Sequence, residues 1–141
     1  MATGSDGSGE GLKLPVVAIV DDDDGVRAAY GDLIRSHGLE ARLYASSEDF
    51  LAVSDAELPD CIILDQRLPG LSGLELQQKL NMMNVEVPVI FVTSQDDPAT
   101  RRRSLLGGAK FFFGKPVDDG DMMAKIFEVL EEAGVKHNRQ E

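Results

Sequence analysis

The sequence predicts an α/β fold of the doubly wound class, a five-stranded parallel sheet with five helices covering its two faces. Three observations predict it. Short continuous apolar runs, "VVAIV", "CIILD" and "VPVIFVTS", have the length and composition of strands buried on both faces. Between them lie segments with apolar residues at helical spacing, several opened by Ser or Asp and closed by Gly. The two kinds alternate along the chain, and such alternation implies right-handed crossovers between parallel strands.

The first fourteen residues, "MATGSDGSGEGLKL", are rich in Gly and Ser and offer little to bury, so residues 1–14 read as a flexible tail. The fold is expected to begin at Pro15. The first strand, "VVAIV", runs into four consecutive aspartates, Asp21 to Asp24. Val26, Ala29, Tyr30, Leu33 and Ile34 then form one stripe of a helix that Gly38 stops. Of the acidic run, Asp24 is expected to be the N-cap of this helix and Asp23 to be solvated.

"EARLYA" reads as the second strand and "SSEDFLAV" as the second helix, with Ser46 and Asp49 in a capping-box-like relation. "CIILD" is the third strand. The third helix, "LSGLELQQKLNMM", turns Leu71, Leu74 and Leu80 inward and is capped by Ser72 with Glu75. After "VPVIFVTS", the fourth strand, "DPATRRRSLLGGA" makes a helix ended by Gly107 and Gly108. "KFFFG" is the fifth strand, and "DDGDMMAKIFEVLEEAG" the last helix, with Met122, Ile126, Phe127 and Leu130 on its apolar side. Residues 15–134 then make one domain, and residues 135–141 a C-terminal tail or a truncated linker.

Composition narrows the function. A chain of 141 residues suits a single domain. A net charge of −11 repels phosphates, so direct nucleic-acid binding by this chain is not expected. No apolar run approaches the ~20 residues a membrane helix needs, and the N-terminus has neither the basic start nor the apolar middle of a signal peptide. The expected location is cytoplasmic, with no membrane partner. The single cysteine, Cys61, excludes an internal disulfide and a cysteine metal cluster, and reads as a small buried side chain. Met82, Met83, Met122 and Met123 read as gap fillers and surface neighbours, and His37 and His137 as solvated groups without ligand partners at metal spacing.

In doubly wound folds ligands sit beyond the carboxyl ends of the strands. The loops there carry Asp21 and Asp22 after the first strand, Asp65 after the third, Thr93 and Ser94 after the fourth, and Lys115 and Pro116 after the fifth. Converging carboxylates repel and call for a cation, and an all-oxygen set favours Mg²⁺ or Ca²⁺ over Zn²⁺. Carboxylates completed by waters and a phosphate oxygen suit Mg²⁺ best. Thr93 and Lys115 supply the donors that a bound phosphoryl group requires.

These motifs, "IVDDD", "IILDQRLPGLSGLEL", "VIFVTS" and "FFFGKP", in this order and spacing, resemble the receiver domain of two-component response regulators from Pro15 to about Ala133. The resemblance implies a flavodoxin-like fold with strand order 2-1-3-4-5. It further implies that Asp65 accepts a phosphoryl group from a sensor histidine kinase or a histidine phosphotransfer protein. Asp21, Asp22, Asp65 and the backbone carbonyl of Arg67 would hold Mg²⁺ (or Mn²⁺). Lys115 would pair with the phosphoryl group, with a cis peptide to Pro116. Thr93 and Phe112 would form the switch, and Arg67 and Gln95 would tune the lifetime of the phosphate. The family commonly has tyrosine where Phe112 stands, so Phe112 reads either as the switch aromatic or as a core residue. Output would pass through helix four, strand five and helix five to a partner or a second copy. On that face Arg101, Arg102 and Arg103 are either a solvated run or a spot for acidic partners.

The residues also admit other readings. The chain reads also as the receiver half of a DNA-binding transcriptional regulator with its output domain beyond Glu141. A Mg²⁺-dependent phosphohydrolase would share the aspartate nucleophile, but such enzymes need a second aspartate where Arg67 stands. A flavin protein is disfavoured by the absence of Trp and of a Ser/Thr/Gly-rich first turn, with only Tyr30 and Tyr44 as further ring partners beside phenylalanine.

Overall fold

The computed structural model describes residues 13–135. Five strands, β1 (Val16–Val20), β2 (Glu40–Tyr44), β3 (Cys61–Leu64), β4 (Val89–Thr93) and β5 (Phe111–Gly114), form one sheet. All pairings are parallel, in the order β2-β1-β3-β4-β5, the order expected. The connecting helices are α1 (Asp24–Ser36), α2 (Ser47–Leu51), α3 (Gly73–Met82), α4 (Pro98–Leu106) and α5 (Asp119–Glu132). A 3₁₀ turn at Asp55–Glu57, which no periodicity announced, precedes β3.

Register brings the strand ends together. Val20 lies opposite both Tyr44 and Leu64, Leu64 opposite Phe91, and Thr93 opposite Gly114. Asp21 and Asp65 therefore leave the sheet side by side, and the Asp65 amide extends the ladder to the Val20 carbonyl at 3.0 Å.

Strand alternation divides the core in two. Val17, Ile19, Ile63, Ile90 and Val92 face α1 and α5, where they meet Ile34, Met122, Ile126, Phe127 and Leu130. Ala18, Val20, Ile62, Leu64 and Phe91 face the other side, where Phe50 of α2 and Leu74, Leu76 and Leu80 of α3 cover them. Val135 packs against the first of these clusters. Among the described residues no helix is long and apolar enough to cross a membrane.

Several local expectations need correction. Asp23, not Asp24, is the N-cap of α1, its Oδ1 accepting from the Val26 amide at 3.0 Å. The reason lies two residues earlier: Asp21 Oδ1 accepts from the Asp23 amide at 2.9 Å, which bends the chain so that the helix starts at Asp24. Asp24 is the first helical residue and pairs with Arg27. Ala29 is exposed rather than part of the buried stripe. His37 is half-buried, not solvated, with Nδ1 3.0 Å from the Leu33 carbonyl and its ring against Phe127. His137 and most of both expected tails lie outside the described residues.

Other expectations hold. The Ser72–Glu75 capping box is complete, and Ser46 accepts from the Asp49 amide at 3.0 Å. Met122 and Met123 are buried while Met82 and Met83 are exposed. Cys61 is fully buried, and burial pushes its thiol up to about 12, so it stays protonated and inert.

Candidate functional site

The ends of β1 and β3 place two carboxylates inside the protein, Asp21 at 3% and Asp65 at 5% exposure, while the neighbouring Asp22 is exposed. One oxygen from each of the three lies within 4.8 Å of the others. Such a set tolerates itself only beside positive charge. Lys115 supplies one: its Nζ donates to Asp21 Oδ2 at 2.7 Å and to Asp65 Oδ2 at 3.1 Å. The all-oxygen donors, their convergence and the outward face left by Asp22 fit a small hard divalent cation.

The titration behaviour follows from burial. Desolvation raises the Asp21 carboxyl above its ordinary range, outweighing the hydrogen bonds from Lys115 and the Asp23 amide that pull it down. Burial also pulls the Lys115 ammonium down, but the Asp21 hydrogen bond and the charges of Asp65 and Asp21 raise it on balance. The lysine is therefore firmly charged, and the greater cost falls on the more deeply buried aspartate.

Lys115 reaches the pocket because its amide continues the β4–β5 ladder to the Thr93 carbonyl at 2.9 Å, and the Lys115–Pro116 peptide is cis, as expected. Thr93 is fully buried and its Oγ1 accepts from the Gln95 amide at 3.1 Å. Arg67 is exposed, and its amide donates to Asp65 Oδ1 at 3.2 Å. Phe112 is both core and site neighbour. It is buried at 7% exposure, stacks on Phe91 with ring centroids 6.1 Å apart, and carries the Arg101 guanidinium 4.7 Å above its ring. Ser94, adjacent to Thr93, is exposed.

Of the arginine run, Arg101 is thus not merely solvated. It also donates to the Phe112 carbonyl at 3.4 Å and to Asp96 Oδ1 at 3.2 Å. Asp96 in turn lies so close over Gly114 that a β-carbon there would overlap its carboxylate. The glycine of "FFFGKP" lets the β4–α4 loop lie across the end of β5.

Three further residues set the geometry and were not singled out from sequence. Gly73, the first residue of α3, lies against the Asp65 carbonyl and Gln66 Cα, where a β-carbon would collide with main chain. Gln66 answers by accepting from the Leu74 amide at 2.8 Å through Oε1, which ties α3 to the strand end. Arg27, 16% exposed at its side chain, donates to the Asp21 carbonyl at 2.7 Å. Gly73 had a signal, a glycine directly behind a capping serine. Arg27 had none, because a backbone carbonyl acceptor leaves no mark on the sequence.

A five-stranded sheet of this order with buried aspartates and a lysine at its carboxyl edge defines a CheY-like receiver domain. Residues 17–127 match the response regulator receiver domain family, and the chain belongs to it. It is 34% identical over 128 residues to nodulation protein W of Bradyrhizobium diazoefficiens, covering 91% of this chain and 56% of that protein. It is 38% identical over 116 residues to the transcriptional regulatory protein FixJ of Azorhizobium caulinodans, covering 80% of this chain and 53% of FixJ. The CheY-like receiver domain protein of Methanospirillum hungatei superposes with a TM-score of 0.81 at 29% identity, over 86% of this chain and 98% of that one. The chain spans about half the length of the curated relatives it matches. Receiver domains of this family bind Mg²⁺ at an acidic pocket, interact with histidine kinases and output domains, and are not enzymes of the ordinary turnover kind.

Proposed function

We propose that Asp65 is the phosphoacceptor of this receiver and that its modification switches the α4–β5–α5 surface. The observation that carries the reading is the Lys115 ammonium shared between Asp65 and Asp21 beside a third carboxylate. Asp21, Asp22, Asp65 and the Arg67 carbonyl would hold Mg²⁺ or Mn²⁺. That ion, when bound, would neutralise charge on the transferring phosphoryl group.

The chain's own groups do the rest. A carboxylate oxygen of Asp65 attacks the phosphorus of a phosphohistidine; the P–N bond breaks and its electron pair returns to the imidazole, which takes a proton. Lys115 orients the acceptor carboxylate and pairs with the transferred oxygens, and the Thr93 hydroxyl donates a hydrogen bond to one of them. Positioning and charge neutralisation suffice because the transition state is loose. The added charge of about −1.5 to −2 then alters what Thr93, Phe112 and α4 contact. Arg67, two residues after the acceptor, and Gln95, two residues after Thr93, tune how long the phosphate lasts. The donor would be a cytoplasmic sensor histidine kinase or phosphotransfer protein, and residues 15–134 would form the working unit.

The test is direct. Incubation with Mg²⁺ and acetyl phosphate, followed by intact-mass measurement, should add one phosphoryl group to the protein and none to Asp65→Asn. Equal labelling of the variant, or no labelling of either, defeats the assignment. The match of this chain to about half of longer transcriptional regulators favours a second, compatible reading. In it the same receiver governs a DNA-binding output domain in a longer protein.

A further inference from the structure

Between Thr93 and the first turn of α4 runs a chain of hydrogen bonds that the acceptor chemistry does not require. The Gln95 amide donates to Thr93 Oγ1 at 3.1 Å, and the Gln95 side-chain Nε2 donates to Thr100 Oγ1 at 3.1 Å. The Thr100 hydroxyl donates to Asp97 Oδ1 at 2.7 Å, while Asp97 Oδ2 caps the helix by accepting from the Thr100 amide at 3.1 Å. Thr100 is 4% exposed, one of two buried residues in α4.

The polarity of this chain is fixed. A hydroxyl has one proton, and Thr100 gives it to the Asp97 carboxylate, so its oxygen meets Gln95 only as an acceptor. The Gln95 side chain is thereby committed with its NH₂ group toward α4. Helix capping needs only the Asp97 carboxylate and the Thr100 amide. The Thr100 hydroxyl adds a donor to the Asp97 cap and an acceptor for Gln95, whose side chain also hydrogen-bonds Asp97.

We propose that Thr100 is a positioning residue that tethers the Gln95 carboxamide to α4 and so prolongs the life of the phosphoryl group on Asp65. The proposal rests on the reading of Asp65 as acceptor. In the decay step a water oxygen attacks phosphorus and the bond between phosphorus and the Asp65 oxygen breaks, its electron pair returning to the carboxylate. Inorganic phosphate leaves with one water proton, and the other passes to solvent. An untethered carboxamide offers a donor and an acceptor together and can orient that water. A carboxamide held at its NH₂ end is less free to do so.

Two measurements test this on the whole chain. In the unphosphorylated protein, Thr100→Val should speed exchange of the Gln95 side-chain NH₂ protons in NMR spectra, while Thr100→Ser, which keeps the hydroxyl, should not. In the protein labelled with acetyl phosphate, Thr100→Val should shorten the phosphate lifetime about two- to tenfold, the range one net hydrogen bond controls. Thr100→Ser should retain the wild-type lifetime, and Thr100→Val should have no effect in a Gln95→Ala background. Unchanged NH₂ exchange overturns the tether itself. Changed exchange with an unchanged lifetime, or an equal acceleration in the Gln95→Ala background, overturns its role in decay. Changed exchange in a protein that takes no label overturns the acceptor reading and, with it, that role, while leaving the tether in place.

Discussion

Helices α5 and α4 flank the same edge strand and are held to the domain by opposite means. Six residues of α5, Met122, Met123, Ile126, Phe127, Val129 and Leu130, are buried, and all are apolar. In α4 only Thr100 and Ser104 are buried, and both are polar, while Leu105 and Leu106 are exposed at 43% and 79%. Hydrogen bonds fasten α4 instead: Gln77 Nε2 donates to the Ser104 carbonyl at 2.8 Å, Asn81 to the Gly107 carbonyl at 2.9 Å, and Arg101 to the Phe112 carbonyl. Burying apolar area is worth ~25 cal/mol per Å², whereas a hydrogen bond nets about 1 kcal/mol and is readily exchanged for another. An element secured in the second way moves at low cost, which is what a switching surface needs. The acidic edge beside it also buries polar groups, and its charges cost stability.

The largest expected effect lies in α5. Phe127→Ala should destabilise by about 3–5 kcal/mol in chemical denaturation, and a loss below about 1 kcal/mol would break the contrast. Next comes the buried tether of α4. Gln77→Ala removes the donor to Ser104 and should cost about 1–3 kcal/mol. It should also speed amide hydrogen exchange in α4 while leaving α5 protected; equal exposure of both helices would show that α4 is no looser than α5.

At the acidic edge the sign reverses. The Asp21 carboxyl is raised above its ordinary value of 3.8, so the folded protein holds that proton to higher pH than the unfolded chain does. Its ionisation costs nothing below that ordinary value, and the cost grows as pH rises through the raised one. Asp21→Asn should therefore stabilise the metal-free protein in chemical denaturation at neutral pH, less as pH falls toward the ordinary carboxylate range. Mg²⁺ should raise the melting temperature of the wild type more than that of the variant. A loss of stability at neutral pH would mean that the pairing with Lys115 outweighs desolvation.

The smallest effect belongs to Arg101. Its guanidinium is part exposed, so Arg101→Ala should cost under about 1 kcal/mol, read against Arg102→Ala and Arg103→Ala, which should cost nothing measurable. A cost equal across the three would remove the special standing of the Phe112 contact.

Much of this was legible in the chain itself. The strands announced themselves because both faces are covered, so apolar residues run without interruption, and the helices because their stripes and caps repeat at short spacing. The acidic site was legible because its residues fall at strand ends, where a parallel sheet must gather them. Errors came where two local solutions compete: Asp23 and Asp24 could each cap α1, and the bond from the Asp23 amide to Asp21 chose between them. The stripe of α1 likewise overreached at Ala29, whose small side chain carries little information about which face is covered.

By itself, then, the sequence determined the α/β class, the element order, and the carboxylate, hydroxyl and lysine positions, because these follow from periodicity and from loops of fixed polarity. Only the tertiary structure decided that Lys115 bridges Asp21 and Asp65, that Gly73 makes room for the Asp65 backbone, that Arg101 covers Phe112, and that Gln95 is tied to Thr100. The physical reason is common to all four. Each depends on distances set to within a few tenths of an ångström between side chains or backbone groups brought together by strand register and helix packing, and neither periodicity nor composition encodes a distance.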